Sequence, residues 1–304
     1  MTRIALVTAI AAAGVDDDLT PLLDACARAG MAVQVRAWDD PTVGWSRFDA
    51  AILRSPWDYV PRLREFLDWS ERVSAQTRLI NPLPVVRWNT DKHYLAGLAA
   101  RGVPIVPTAF VEPDMEPLPT LQAFLAAHPH AAEFVVKPSV GAGSKDAQRY
   151  ARSQEFAAAN HLARLLDADR SAMLQPYLSS VDEHGETALM FFAGEFSHAI
   201  RKGPLLRPDE GPTNHLFAAE SIAPRLPSQD ELALADRVMA AAREALQLDE
   251  PPLYARVDLI RDDAGGPCLL ELELCEPSLF FAHAPGSADR FAVLLAKTLE
   301  RVRL

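Results

Sequence analysis

Arg3–Thr8 is an unbroken apolar run of the kind that predicts a short strand buried on both faces. Residues 19–29 then place Leu19, Leu22, Leu23 and Cys26 at helical spacing and stop at Gly30, a residue suited to a C-terminal cap. Further strands are expected at 31–38 and 50–54, and an amphipathic helix at 59–74. Strands alternating with helices predict a parallel sheet covered by helices. Asn81-Pro82 and Pro84 break the pattern and mark a lobe boundary. A helix carrying Lys92 is expected over 89–100, capped by Gly102. Residues 105–178 read as short strands with one helix at about 153–167, a small α+β lobe. From 186 onward the strands come in pairs, which predicts antiparallel pairing, with helices at about 228–246 and 289–301.

Composition narrows the function classes. The 304 residues are 49% apolar and 23% charged, as in a soluble globular protein of two or three lobes. Thirty basic against 41 acidic side chains give a net charge of −11, which argues against nucleic acid as a partner. A nucleotide needs only a local positive pocket, so it stays admissible. Cys26, Cys268 and Cys275 form no CxxC pair, which excludes a disulfide framework or standard zinc module and suits a reducing compartment. No apolar run reaches membrane-span length, and the first residues read as a core strand instead of a signal peptide. The expectation is a cytoplasmic protein with no membrane partner.

Two hairpins carry candidate chemistry. Residues 254–260 and 268–275 are strands joined by a turn-rich link at 261–266. Alternation puts Arg256 and Asp258 on one face and Ala255, Val257 and Leu259 on the other. Glu271 and Glu273 share a face opposite Leu270, Leu272 and Leu274. Folding about Ala264–Gly265 sets Asp258 opposite Glu271 and Arg256 opposite Glu273, with the other face pure core. Acids so close call for a cation, and a hard divalent ion, Mg²⁺ or Mn²⁺, suits oxygen ligands. A solvated sheet face with an Arg–Glu pair is the alternative. The second hairpin, Glu186–Phe192 with Glu195–Lys202, turns at Ala193-Gly194 and brings Glu186 near Arg201 and Lys202. An ordinary cross-strand ion pair fits it equally. A third segment, Phe134 to Ser144, ends a strand in Lys137 and continues into a loop with Gly141 and Gly143. Such loops can wrap phosphate with main-chain N–H groups, though this one is neither a P-loop nor a GxGxxG fingerprint.

Lys92, Lys137 before the glycine loop, Gln175-Pro176-Tyr177-Leu178, Glu186, Lys202, Arg256/Asp258 and Glu271/Glu273 occur in an order that resembles the ATP-grasp superfamily of ligases. The resemblance spans about 88–280 and implies an α/β and α+β fold of three parts. These are an N-terminal parallel-sheet lobe (1–88), a small lobe with the glycine loop (89–178) and a C-terminal antiparallel lobe with the metal site (179–304). It also implies that Lys92 and Lys137 contact ATP phosphates while Gly141, Gly143 and Ser144 close over them. By the same resemblance Gln175, Tyr177 and Leu178 hold adenine, and Glu186 takes the ribose. Lys202 and Arg256 would reach phosphate and the developing acyl phosphate, and Asp258, Glu271 and Glu273 would hold one or two Mg²⁺ (or Mn²⁺). Many members have Asn where this chain has Glu273. Arg54 to Tyr59, Val136-Lys137-Pro138 and Leu270 to Phe280 are most similar to the ligases that close O-ureido-D-serine to D-cycloserine.

The implied activity is ATP-dependent activation of a carboxylate as an acyl phosphate, which an amine then attacks to form a C–N bond on an amino-acid-like substrate. Ligation of two molecules and closure of one are both open, as is a homodimer. Arg54, at the end of a strand, is a candidate carboxylate clamp or a structural partner of Asp58. His215 is a candidate acceptor contact, Trp57 and Tyr59 read as packing residues, and Cys275 as core. A non-catalytic nucleotide-responsive binding protein is a rival of another class, but a scaffold has no need of three carboxylates. A nucleotide-independent two-lobe binding protein would leave Lys137 and the Glu pair unexplained.

Overall fold

The computed structural model describes residues 2–208, 211 and 221–300. Four strands, β1 (Arg3–Thr8), β2 (Ala32–Ala37), β3 (Ala50–Ser55) and β4 (Arg78–Ile80), form a parallel sheet in the order β2-β1-β3-β4. Every residue of β3 is buried, the apolar Ala50–Leu53 as a central strand requires and the polar Arg54 and Ser55 at its end with them. Helix α1 (Leu19–Arg28) follows β1, and α2 (Leu63–Ser74) follows β3. The α2 stripe of Phe66, Trp69 and Val73 packs into an aromatic core with Trp38, Trp45 and Tyr59. The expected helix at 59–74 therefore starts later than its pattern suggests, after a short 3₁₀ turn, Val60–Arg62, that contains Pro61.

The proline-rich boundary does not interrupt the chain. Pro82 precedes helix α3 (Leu83–Asn89), and Pro84 sits in its first turn, where a missing N–H costs nothing. The helix expected over 89–100 is split: α4 is Tyr94–Ala100, and Lys92 lies in the turn between the two. Asn89 ends α3 by turning its side chain to a strand edge, donating to Leu272 O at 2.8 Å and accepting from the Leu274 N–H at 2.6 Å.

A second sheet is antiparallel, with β5 (Ala109–Val111), β6 (Glu133–Pro138), β7 (Gln148–Ala151) and β8 (Ala172–Pro176) in the order β5-β8-β6-β7. Two helices pack on it, α5 (Pro117–Ala127) and α6 (Glu155–Asp167). Only the second was expected; Pro117 and Pro119 disguise α5, although both fall where a helix start tolerates proline.

After α7 (Ser180–His184) comes a five-stranded sheet of β9 (Glu186–Phe192), β10 (Glu195–Lys202), β11 (Ile222–Arg225), β12 (Tyr254–Arg261) and β13 (Pro267–Glu273), in the order β11-β10-β9-β12-β13. Gly185 must be glycine: its φ is +69°, and a Cβ there would stand 2.3 Å from the Lys202 carbonyl. Helix α8 (Gln229–Leu246) is capped by Ser228 and Glu231 and covers one face, packing on Leu189, Phe191, Ala255 and Val257. The opposite face is divided. Its near half, Met190, Phe192 and Tyr254, packs with Leu22 of α1 and Phe291 of α9 (Ser287–Glu300). Its far half carries Glu186, Lys202, Arg256, Asp258, Glu271 and Glu273, on the same side by strand alternation. No described helix is long and apolar enough to cross a membrane.

Candidate functional site

The divided face opens into a cavity of about 530 Å³, lined by the two antiparallel sheets and by the loops that follow β1 and β3. The β12–β13 register is the expected one, Arg256 opposite Glu273 and Asp258 opposite Glu271. A bulge after Asp258 then skips Leu270, which turns from the predicted core into the cavity wall. In the second hairpin Lys202 pairs with Glu186 in register, as expected. Its Nζ reaches Glu186 Oε2 at 3.1 Å and Asp258 Oδ2 at 2.7 Å. Arg201 instead donates to the His184 carbonyl at 2.7 Å, because its position in the alternation sends it to the other side.

Each acid on the hairpin has a cation. Asp258 accepts from Arg256 Nε at 2.9 Å as well as from Lys202; burial works against its charge, but these two neighbours hold its carboxyl below the usual range. Glu271 Oε1 stands 3.0 Å from Lys92 Nζ, and burial is again outweighed, here by Lys92 and Lys137. Glu273 is hydrogen-bonded by Arg256, yet burial, together with Glu271 and Asp258, pushes it up to about 8.

The glycine loop closes the site from the small sheet. Lys137, at the end of β6, faces the cavity and makes no hydrogen bond or ion pair among the described residues. Burial lowers its pKa, with Glu271 acting in the other direction. Lys92 Nζ donates to Gly141 O at 2.8 Å, tying the loop to the acid strand. Gly143 and Ser144 both have positive φ, and with Gly141 they line the cavity. Gln175, Tyr177 and Leu178 form the neighbouring wall with Glu186. Gln175 is held by Thr108 at 2.8 Å, and Tyr177 is backed by the Arg149 guanidinium 3.6 Å from its ring centroid.

The substrate candidates fall differently. Arg54 is fully buried and does not line the cavity; its acidic neighbour is Asp18 at 3.5 Å, not Asp58. Asp58 accepts from Trp38 Nε1 at 2.8 Å and pairs with Arg62, one helical turn ahead. His215 lies outside the described residues. Trp57 and Tyr59 are packed, as expected, but they also form the far end of the cavity with Asp17, Glu276, Phe280 and His283. Asp17 and Glu276 were missed because each belongs to a loop whose course the strand pattern does not fix. The acidic run 16–18, in the loop between β1 and α1, was the available signal.

Among the described residues no three His, Cys, Asp or Glu side chains are grouped closely enough to cage an ion alone. The three register-neighbour carboxylates do not all point to one centre, because Asp258 turns to Lys202 and Arg256. The donor set still fits Mg²⁺, which usually takes one or two carboxylates and leaves its other positions to phosphate and water. Glu271 and Glu273 are hard oxygen donors that line the cavity, and the raised Glu273 marks excess negative charge that a divalent ion would relieve.

Comparison with known proteins agrees with this geometry. A protein family described as "D-cycloserine synthetase DcsG, N-terminal domain" matches residues 4–81. The cycloserine biosynthesis protein DcsG of Streptomyces lavendulae is 49% identical over 300 residues, covering 99% of this chain and all of that protein. The crystal structure of D-cycloserine synthetase DcsG superposes with a TM-score of 0.93 at 48% identity, covering 98% of this chain and 99% of that one. The D-alanine–D-alanine ligase of Bacillus anthracis, solved with ATP, shares the fold with a TM-score of 0.65 at 15% identity, covering 100% and 99%.

Proposed function

The chain belongs to the DcsG family of ATP-grasp ligases, and on that footing we propose that it closes O-ureido-D-serine to D-cycloserine, converting ATP to ADP and phosphate. The observation that carries the nucleotide half is Lys137, a cation facing the cavity beside the glycine loop with no described partner of its own. The substrate half is supported by the full-length similarity to a cycloserine biosynthesis protein.

In this reading Lys92 and Lys137 hold the ATP phosphates under the loop of Gly141, Gly143 and Ser144. Gln175, Tyr177 and Leu178 hold adenine, and Glu186 the ribose. Glu271 and Glu273 hold Mg²⁺, and Asp258 joins them only by releasing Lys202. The ion, when bound, neutralises phosphate charge. Lys202 and Arg256 stabilise the γ-phosphoryl group in transfer to the substrate carboxylate and the acyl phosphate that results. The loop excludes water that would hydrolyse this intermediate. The nitrogen bonded to the substrate's side-chain oxygen then closes the ring; O-ureido-D-serine carries one carbamoyl group more than D-cycloserine, and that group passes to water. Holding nucleophile and electrophile in one molecule replaces a second binding event. The three-part division at 88 and 178 belongs to the same reading, with the cavity where the parts meet. So does a cytoplasmic setting, supported by three buried cysteines without a disulfide.

O-Ureido-D-serine alone is expected to drive ADP release, with D-cycloserine found by mass. Release only when a second amine is supplied, with a linear amide as product, would exclude cyclisation and leave the ligase class intact.

A further inference from the structure

Glu276 is an acid at the cavity that neither the phosphate contacts nor the metal ligands use. We propose that Glu276 is the general base of the bond-forming step, taking the proton of the attacking nitrogen as the ring closes; the proposal rests on the cyclo-ligase reading above.

Position comes first. Glu276 lies between the acid strand and the aromatic end of the cavity formed by Trp57, Tyr59 and Phe280. Its loop is fixed from four sides. Trp57 Nε1 donates to the Glu276 carbonyl at 3.0 Å, and Tyr59 OH donates to Oε1 at 2.7 Å. Arg256 Nη1 donates to Ser278 O at 3.3 Å. The Asp18 carboxylate accepts the N–H groups of Leu279 at 2.5 Å and Phe281 at 2.9 Å, with buried Arg54 behind it at 3.5 Å. The main chain of the loop is thus fixed and the Tyr59 hydroxyl orients the carboxyl, which is the positioning that proton transfer in a transition state requires.

Charge state comes second. Asp258, Glu271 and Glu273 are each engaged by Lys202, Lys92 or Arg256, whereas Glu276 has no ion pair among the described residues. Its ionisable surroundings are Tyr59, Lys92, Glu271, Arg256 and Cys275. Burial raises its pKa above the usual carboxylate value, with Glu271 adding to this and Tyr59, Lys92 and Arg256 opposing it. A base brought closer to neutrality accepts a proton more effectively.

The step balances. The substrate nitrogen attacks the carbonyl carbon, the C–N bond forms, and the C–O bond to phosphate breaks. Phosphate leaves with that electron pair, and the N–H proton passes to the Glu276 carboxylate.

The test uses the full chain with ATP, Mg²⁺ and O-ureido-D-serine, adding hydroxylamine to trap the acyl phosphate as a hydroxamate. Glu276→Gln is expected to form hydroxamate within about threefold of the wild-type rate while ring closure falls about 100-fold or more. Ring closure by the variant within about threefold of wild type overturns the proposal and leaves the cyclo-ligase reading standing. Equal loss of hydroxamate and ring product, in a variant that melts like wild type, also overturns it. Neither product from the wild-type protein overturns the cyclo-ligase reading and the proposal with it. Should the Gln variant fail to fold, Tyr59→Phe decides. Losing the phenol hydrogen bond should move the acid limb of the ring-closure rate to higher pH, and an unmoved limb overturns the proposal.

Discussion

Glu271→Gln is expected to lower turnover about 1,000-fold, the scale on which preorganised electrostatic groups act in a water-poor site. Glu271 faces the cavity between Lys92 and Lys137, and the two lysines outweigh burial to keep it charged. Gln preserves its size and removes only the charge. The side chain lies on the polar face of β13, so the variant should fold and melt like wild type. Glu273→Gln should act in the same direction, since Arg256 bonds Glu273 from the same face. Titrating turnover with Mg²⁺ separates the possibilities. A higher Mg²⁺ requirement places both residues at the ion, and unchanged dependence in both variants returns them to a solvated sheet face.

Lys202→Met is expected to damage both the fold and the chemistry. Lys202 is 5% exposed and neutralises Glu186 and Asp258 from the strand register that joins β9 to β10. Removing one member of a buried ion cluster leaves uncompensated charge, at a cost of about 3 kcal/mol or more. In a chain of this size that lowers the melting temperature by roughly 5–10 °C. Adding Asp258→Asn removes one stranded charge and should recover part of that loss. Activity should not return, because the cation proposed to reach the phosphoryl group is still missing. Calorimetry and ADP release on the single and double variants check this, and activity restored along with stability would make Lys202 purely structural.

The chemistry-bearing hairpins were legible because two-residue alternation and turn-rich links fix which side chains face one another. Arg256–Glu273, Asp258–Glu271 and Lys202–Glu186 all follow from counting back from the turn. The bulge that frees Leu270 does not follow, because nothing in the local pattern marks an extra residue there. Three strands of the first sheet were plain from strand–helix alternation, whereas the three-residue β4 is too short to leave a pattern. Helix α5 and the break in the helix bearing Lys92 were hidden, the one by prolines that suit a helix start, the other by Asn89, whose partners are nearly two hundred residues away. The ATP-grasp fold and the ligase class, read from the order of the motifs, agree with the relatives. The far end of the cavity was the least legible part. Arg54 ends a strand, as its clamp reading assumed, but it is fully buried behind Asp18 with no hydrogen-bond partner for its guanidinium among the described residues, and the loop that Asp18 anchors carries Glu276 into place.

The central claim is that this cleft activates a carboxylate by phosphoryl transfer from ATP. Incubating the protein with ATP, Mg²⁺ and O-ureido-D-serine labelled with ¹⁸O in its carboxylate tests it most directly. An acyl phosphate intermediate moves one carboxylate oxygen to the departing phosphate, so mass spectrometry of the inorganic phosphate should find a single ¹⁸O for each turnover. Phosphate that carries no label while D-cycloserine accumulates would contradict the account.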